Sequence, residues 1–280
     1  MKFAPIRKFG KHYYIIKEIH NYSDVYSAID SSSNIYIIKS YPKESSRSKF
    51  LKEIKINQKL NIPENNEYFV KYISSSIDES FDLEKYIVFE QCEKGPLSEY
   101  VLRHIHFEET FLKIFIYIIL DAVFHMHKLR IVHMDINLEH IFIDKFYNFK
   151  IGGFSHSLFV ENNKNCYFRK DLLDLGFLFM QILTGKTLKN NRNYLELIQI
   201  GNIYNFWKAI EIQGDLNWNF SDDLKDLINK MFFTKGTKTN HIEDLLSHDW
   251  FNPIKKLNKK EMKECIKNEF KKIEWSEFSG

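Results

Sequence analysis

Glycine is scarce. Ten occur in 280 residues, where a share of about 7% is usual, so the chain has little from which to build a glycine-rich loop that cradles phosphate. Cysteine is rarer: Cys92, Cys166 and Cys265 lie far apart, with neither metal-ligand spacing nor an even framework. That pattern excludes a disulfide scaffold and points to reduced thiols in a cytoplasmic or nuclear compartment. The opening residues, MKFAPIRKFGKHYYII, lack the apolar core of a signal peptide. The longest apolar run, IFIYIILDAVF from Ile114, is interrupted by Asp121. It reads as too short to cross a bilayer and as a buried helix, so no membrane partner is expected. Neither charge sign dominates: the net charge is +3, and no basic stripe interleaved with aromatics argues for nucleic acid. Repeats and low-complexity linkers are also missing. What remains is 44% hydrophobic and 28% charged, the composition of a globular chain long enough for one large domain or two lobes sharing a cleft.

Residues 11–40 alternate apolar and polar runs, with DSSSN at 30–34 as a turn, which predicts an antiparallel meander. SRSKFLKEIKINQKL at 46–60 places Phe50, Ile54 and Leu60 near helical spacing, with Ser46 or Ser48 as N-cap. YFVKYISSSID and LEKYIVFEQC follow as two further strands. From 97 onward the pattern is helical, over 97–104, 108–128, 171–185, 193–200, 202–212, 221–231 and 240–248. Short apolar strands at 131–133, 141–143 and 149–151 lie between them. The expectation is an α+β chain forming a single domain over 1–280. It has a β-rich N-terminal lobe (11–91) with one main helix, a larger helical lobe (92–256) after a hinge at CEKGP (92–96), and a helical tail (257–280). In the tail, Met262, Ile266, Phe270 and Ile273 form one apolar stripe, better explained by packing on the same domain than by a partner.

Six stretches then occur in a telling order: NIYIIK ending at Lys39, FLKEIKI around Glu53, YIVFEQCEKGPLSEYV, HMDINLEHIFI, RKDLLDLGFLFMQILTG and LLSHDWF. Each alone is weak, but in this order they resemble the landmarks of the protein kinase fold over nearly the whole chain. The resemblance makes Lys39 the nucleotide-anchoring lysine, Glu53 its helix partner and Phe89 the gatekeeper. Glu90 and Cys92 become hinge residues of the nucleotide cleft, Asp135 the catalytic base and Asp171 the anchor of the catalytic loop. IVHMDINLEHIFI and KIGGFSH are also similar to LVHMDIKPSNIFI and KIGDLGH of the Wee family of cell-cycle inhibitory kinases, as SNIYIIK is to that family's GCIYAIK.

The departures are as informative. Phosphoryl transfer depends on positioning and on neutralising charge. The kinase metal ligands are an asparagine five residues after the base and an aspartate after the last cleft strand. Here those positions hold His140 and Gly153, and imidazole is a poor ligand for a hard cation. Asn137 stands at the catalytic-loop lysine, uncharged but able to hydrogen-bond a phosphate. Glu18, His20 and Ser23 replace the glycines of the covering loop, with Glu18 expected to present negative charge to phosphates. Ile37 replaces the alanine that packs on adenine, and its extra carbons are expected to intrude there. Met134 replaces an arginine, as the Wee pattern also allows. Asp171 follows Phe154 by seventeen positions, too few for an activation segment with an APE anchor. The arginine that pairs with that anchor is missing near Thr239. Among stray carboxylates, Asp144 reads as part of a solvated turn, and Glu139 should point elsewhere.

Simpler roles compete with these. Lys39 and Glu53 can serve as a structural ion pair, Asp135 as an acceptor ordering its loop, His133 as a satisfied core histidine near Phe154, and Cys92 as a small buried hydrophobe. The resemblance implies a pseudokinase that regulates a protein partner, a cyclin-dependent kinase if the Wee likeness reflects descent. It has no metal and at most metal-free ATP as cofactor. A weakly active ATP-dependent, Wee-like protein kinase is the alternative, and a scaffold unrelated to the cell cycle is a third.

Overall fold

The computed structural model describes residues 8–9, 13–19, 24–42, 45–65, 67–77, 85–101, 107–161, 166–213, 220–233 and 241–276. In chain order the elements are β1 (Lys8–Phe9), β2 (Tyr13–Glu18), β3 (Val25–Ile29), β4 (Ile35–Tyr41), α1 (Arg47–Leu60), β5 (Tyr72–Ser75) and β6 (Lys85–Glu90). There follow α2 (Leu97–Val101), α3 (Glu109–Lys128), β7 (Ile131–Val132), β8 (Ile141–Ile143), β9 (Phe149–Ile151), β10 (Leu158–Phe159) and α4 (Cys166–Thr184). The chain ends with α5 (Arg192–Ile200), α6 (Ile203–Gln213), α7 (Asp222–Phe233), α8 (His241–Leu246) and α9 (Lys259–Ser276).

β1 to β6 form one antiparallel sheet in the order β1-β2-β3-β4-β6-β5. The meander follows from alternation: Tyr26 and Ala28 turn inward on β3 while Asp30 closes the β3–β4 turn, accepting from the backbone N–H groups of Ser32 and Asn34. α1 buries Phe50 and Ile54 against Tyr72 and Ile87 of the sheet, and Ile56 and Leu60 in the main core. Ser46 occupies its N-cap position without a side-chain cap bond; its hydroxyl is 2.7 Å from that of Ser48 instead. Everything after β6 is mostly helical, so the protein has the two-lobed α+β architecture.

The main core lies in the helical part, around α3. That helix is twenty residues long and, contrary to the expectation from its apolar run, long and apolar enough to cross a membrane. Its side chains are used otherwise: 67% of the apolar window is buried inside the fold, Ile114, Phe115, Ile119 and Val123 are fully buried in the core, and the helix packs against β9, α4 and α8. α9 lays Ile266, Phe270 and Ile273 on the same core, so the tail stripe packs on its own chain. Glu269 of α9 accepts from the Glu108 N–H at the start of α3 at 2.9 Å, satisfying one of the donors a helix start leaves free. α4 begins at Cys166, five residues before the predicted start.

Candidate functional site

The site is built where the sheet meets the helices. On β4, alternation puts Ile37, Lys39 and Tyr41 on one face. Lys39 Nζ lies 2.8 and 3.1 Å from the two carboxylate oxygens of Glu53 on α1, and the Tyr41 hydroxyl donates to the same carboxylate. Burial, reinforced by the Glu53 charge, pushes the Tyr41 phenol above its ordinary pKa, so it remains a donor. Two donors from one strand therefore pin a buried carboxylate of α1. The spacing of two from Lys39 is the sequence signal that could have identified Tyr41.

Behind the cleft, Phe154 packs between Phe69 and His133, at ring-centroid separations of 6.0 and 5.1 Å. His133 is fully buried. Its Nε2 donates to the Gly152 carbonyl at 2.8 Å, and burial pushes its pKa down to about 4, so it is neutral: a satisfied core histidine, as expected. Asp171 is 0% exposed and accepts from the N–H groups of His133 (2.9 Å) and Met134 (2.7 Å) and from His127 Nε2 (2.8 Å). Those bonds hold Met134 at φ +71°, a left-handed conformation that costs a non-glycine residue about 1–2 kcal/mol. Asp171 thus sits where an anchor of the loop should be; the third donor, His127, gave no sequence signal.

The loop itself departs from expectation. Asn137 does not project as a phosphate donor. Its Oδ1 accepts from the N–H groups of Glu139 and His140, capping the 3₁₀ turn Leu138–His140, and its Nδ2 donates to the Asp135 carbonyl. His140 Nδ1 donates to the same carbonyl at 2.8 Å. Gly153 has φ +79°, and a Cβ built on it would lie 2.3 Å from His140 Cδ2 and 2.7 Å from Nε2. The two positions expected to hold metal ligands therefore do converge, but the imidazole of one fills the space for a side chain at the other. Among the described residues, no group of three or more His, Cys, Asp or Glu side chains could hold a metal ion. This donor set does not fit magnesium.

Asp135 carries an unforeseen partner. Lys189, from the connector between α4 and α5, places Nζ 3.5 Å from Asp135 Oδ1 and 3.0 Å from Asp174 Oδ1. Burial works against ionisation of Asp135, but His140 and Lys189 outweigh it and hold its carboxyl below the ordinary pKa. Asp144 corrects the solvated-turn reading: it is buried and accepts from the N–H groups of Phe146 and Asn148, organising the turn before β9. Glu139 is exposed and takes no part.

The cleft between sheet and loop has a volume of about 340 Å³ and is lined by Val25, Ile37, Lys39, Phe89, Phe142 and Gly153, among others. Ile37 forms its wall without closing it and is only half-buried. Lys17 and Ile19 also line the cleft. Strand alternation therefore turns the exposed Glu18 between them away from it; His20 and Ser23 lie outside the described residues. Glu90 and Cys92 border the cleft, but the Glu90 carboxylate is tied to the Lys71 N–H at 2.8 Å and to Lys150. The Cys92 thiol, pushed up to about 12 by burial, is not a thiolate.

Beyond Phe154 the chain forms β10 against β7, and Arg130 donates to the carbonyls of Val160 and Glu161. Six residues separate Phe159 from Cys166, the start of α4. Arg169, in the first turn of α4, donates to the Met231 and Phe232 carbonyls at the end of α7, and burial lowers its pKa. Thr239 lies outside the described residues.

Residues 20–173 match the protein kinase domain. The chain is 26% identical over 250 residues to the cell cycle serine/threonine-protein kinase CDC5/MSD2 of Saccharomyces cerevisiae, covering 79% of this chain and 34% of that one. It is 23% identical over 226 residues to a probable cell cycle serine/threonine-protein kinase, a CDC5 homolog of Encephalitozoon cuniculi, covering 71% and 44%. Over 119 residues it is 31% identical to the serine/threonine-protein kinase polo of Drosophila melanogaster, covering 42% and 19%. The chain thus spans less than half the length of these relatives.

Proposed function

The chain belongs to the protein kinase domain family, and from that premise we propose that it is a pseudokinase whose folded surface, not phosphoryl transfer, is its function. The observation that carries this reading is the His140 ring lying in the space where a side chain at residue 153 would stand. Kinases hold their metal ions with a carboxylate and an asparagine at these two positions. Here one side chain is missing and the other obstructs it. Shortening after Phe154 agrees: six residues between β10 and α4 leave little chain for a segment that would seat a peptide substrate. The partner is a protein. Two of the named relatives are cell cycle kinases of the CDC5 kind, and the local motifs resemble Wee kinases, so both likenesses favour a role in cell-cycle control, with a cyclin-dependent kinase as the partner the Wee likeness suggests.

One observation favours a second reading, a weakly active ATP-dependent kinase. The Lys39–Glu53 pair is intact over a cleft of about 340 Å³, within the range of small-molecule sites. Adenine-sized ligands fit that volume; a metal-bound triphosphate lacks its ligands. Phosphate transfer from radiolabelled ATP to a generic protein substrate, measured for the parent and for Asp135→Asn, separates the two. The pseudokinase reading expects equal background signal from both. Transfer by the parent that Asp135→Asn abolishes would establish the second reading.

A further inference from the structure

Asn137 leaves the catalytic loop without the positive charge that a lysine would place beside Asp135, yet a cation is there. Lys189 reaches in from the α4–α5 connector, and its ammonium spans Asp135 Oδ1 and Asp174 Oδ1 at 3.5 and 3.0 Å. We propose that Lys189 stands in for the missing loop lysine: from a different element, it supplies the positive charge facing Asp135, and by sharing Asp174 it ties the connector to the loop. The inference rests on reading 133–140 as a kinase catalytic loop. It gives Asp135 a purpose in a site without metal ligands, since its carboxylate ends a chain of charges running Lys170, Asp174, Lys189, Asp135, with the His140 ring 3.7 Å from its other oxygen. Lys189 is then a positioning residue, holding Asp135 ionised and its Oδ1 occupied.

The groups facing Asp135 are Lys189 from the connector and His140 from its own loop; His133 lies behind it, and Lys170 and Asp174 of α4 stand beyond Lys189. An opposite charge within about 4–6 Å favours the ionised carboxylate, so removing Lys189 should raise the pH at which Asp135 titrates. The experiment is a carbon-detected NMR titration of the Asp135 carboxyl in the full chain, with parent, Lys189→Met, Lys189→Arg and Arg192→Met. Arg192 is exposed on the neighbouring first turn of α5 and controls for the loss of one nearby charge. The expected result is an upward shift in Lys189→Met and a midpoint near the parent's in Lys189→Arg and Arg192→Met. Amide exchange across 186–191 should also accelerate in Lys189→Met. A Lys189→Met midpoint no higher than that of Arg192→Met overturns the proposal, because His140 would then set the charge of Asp135 alone. So does an upward shift in Lys189→Arg as large as in Lys189→Met, because charge would not be what matters. The parent's behaviour with ATP tests the pseudokinase reading separately and does not enter this outcome.

Discussion

Gly153→Asp, the change that restores the missing carboxylate, should damage the protein unless His140 is changed with it. The new Cβ would stand 2.3 Å from His140 Cδ2, far inside van der Waals contact. The ring cannot swing away freely, because its Nδ1 donates to the Asp135 carbonyl at 2.8 Å. Losing that bond costs about 0.5–1.5 kcal/mol. A side chain at φ +79° adds about 1 kcal/mol, and aspartate tolerates that region better than most residues. With overpacking of about 1–3 kcal/mol, the single variant should lose roughly 3–5 kcal/mol. At ~2 °C per kcal/mol for a chain of this size, that is a fall of about 6–10 °C in Tm. His140→Asn in the same molecule removes the clash, so the double variant should recover all but about 1.5–2.5 kcal/mol, the left-handed backbone and the lost imidazole bond. Denaturant melts of parent, both single variants and the double give the coupling directly. The double should also gain magnesium affinity, since two oxygen donors then converge. Additive losses would refute the geometry, because residues 140 and 153 would not share one space.

Asp171→Ala should cost about 3 kcal/mol or more by leaving buried donors at His133, Met134 and His127 unsatisfied, whereas Asp135→Ala, which breaks a half-exposed pair, should cost under about 1 kcal/mol; equal losses in urea melts contradict the anchor role. His133 titrates at about 4 folded, against 6.5 unperturbed, so the unfolded chain binds the extra proton between those values. Its contribution is therefore complete above pH 6.5 and is lost as pH falls toward 4, amounting to about 3 kcal/mol. Stability of the parent should fall more steeply than that of His133→Leu across this window, and parallel curves would show that the imidazole is not buried neutral. Tyr41→Phe should cost about 1.5–3 kcal/mol, the value of a hydrogen bond to a charged group; a neutral melt would mean that Lys39 alone satisfies Glu53.

The order of elements was legible because each kinase landmark is local. The Lys39 strand shows alternation, the Glu53 helix shows an apolar face, and the loop anchors at Asp135 and Asp171 stand in recognisable strings. What escaped depends on contacts between distant segments. Lys189 has no motif, and only the packing of the α4–α5 connector on the loop brings it to Asp135. Asn137 stands where a phosphate donor is expected, but its side-chain oxygen caps a turn, a competition between side chain and backbone that residue type alone does not settle. Glu18 stands at a position that the kinase resemblance assigns to a glycine, yet the strand turns it away from the cleft. The unbroken apolar run of α3 is short, yet the helix continues through Asp121, whose carboxylate accepts from the Tyr68 hydroxyl at 2.7 Å.

The central claim is that the cleft no longer handles a metal-bound nucleotide. A thermal-shift titration of the intact chain with ATP, in chelator and then with magnesium or manganese, tests it most directly, because a ligand that binds the folded state alone raises its stability by mass action. The account predicts the same melting curve with and without metal at every ATP concentration. A metal-dependent rise of several degrees that saturates with ATP would contradict it.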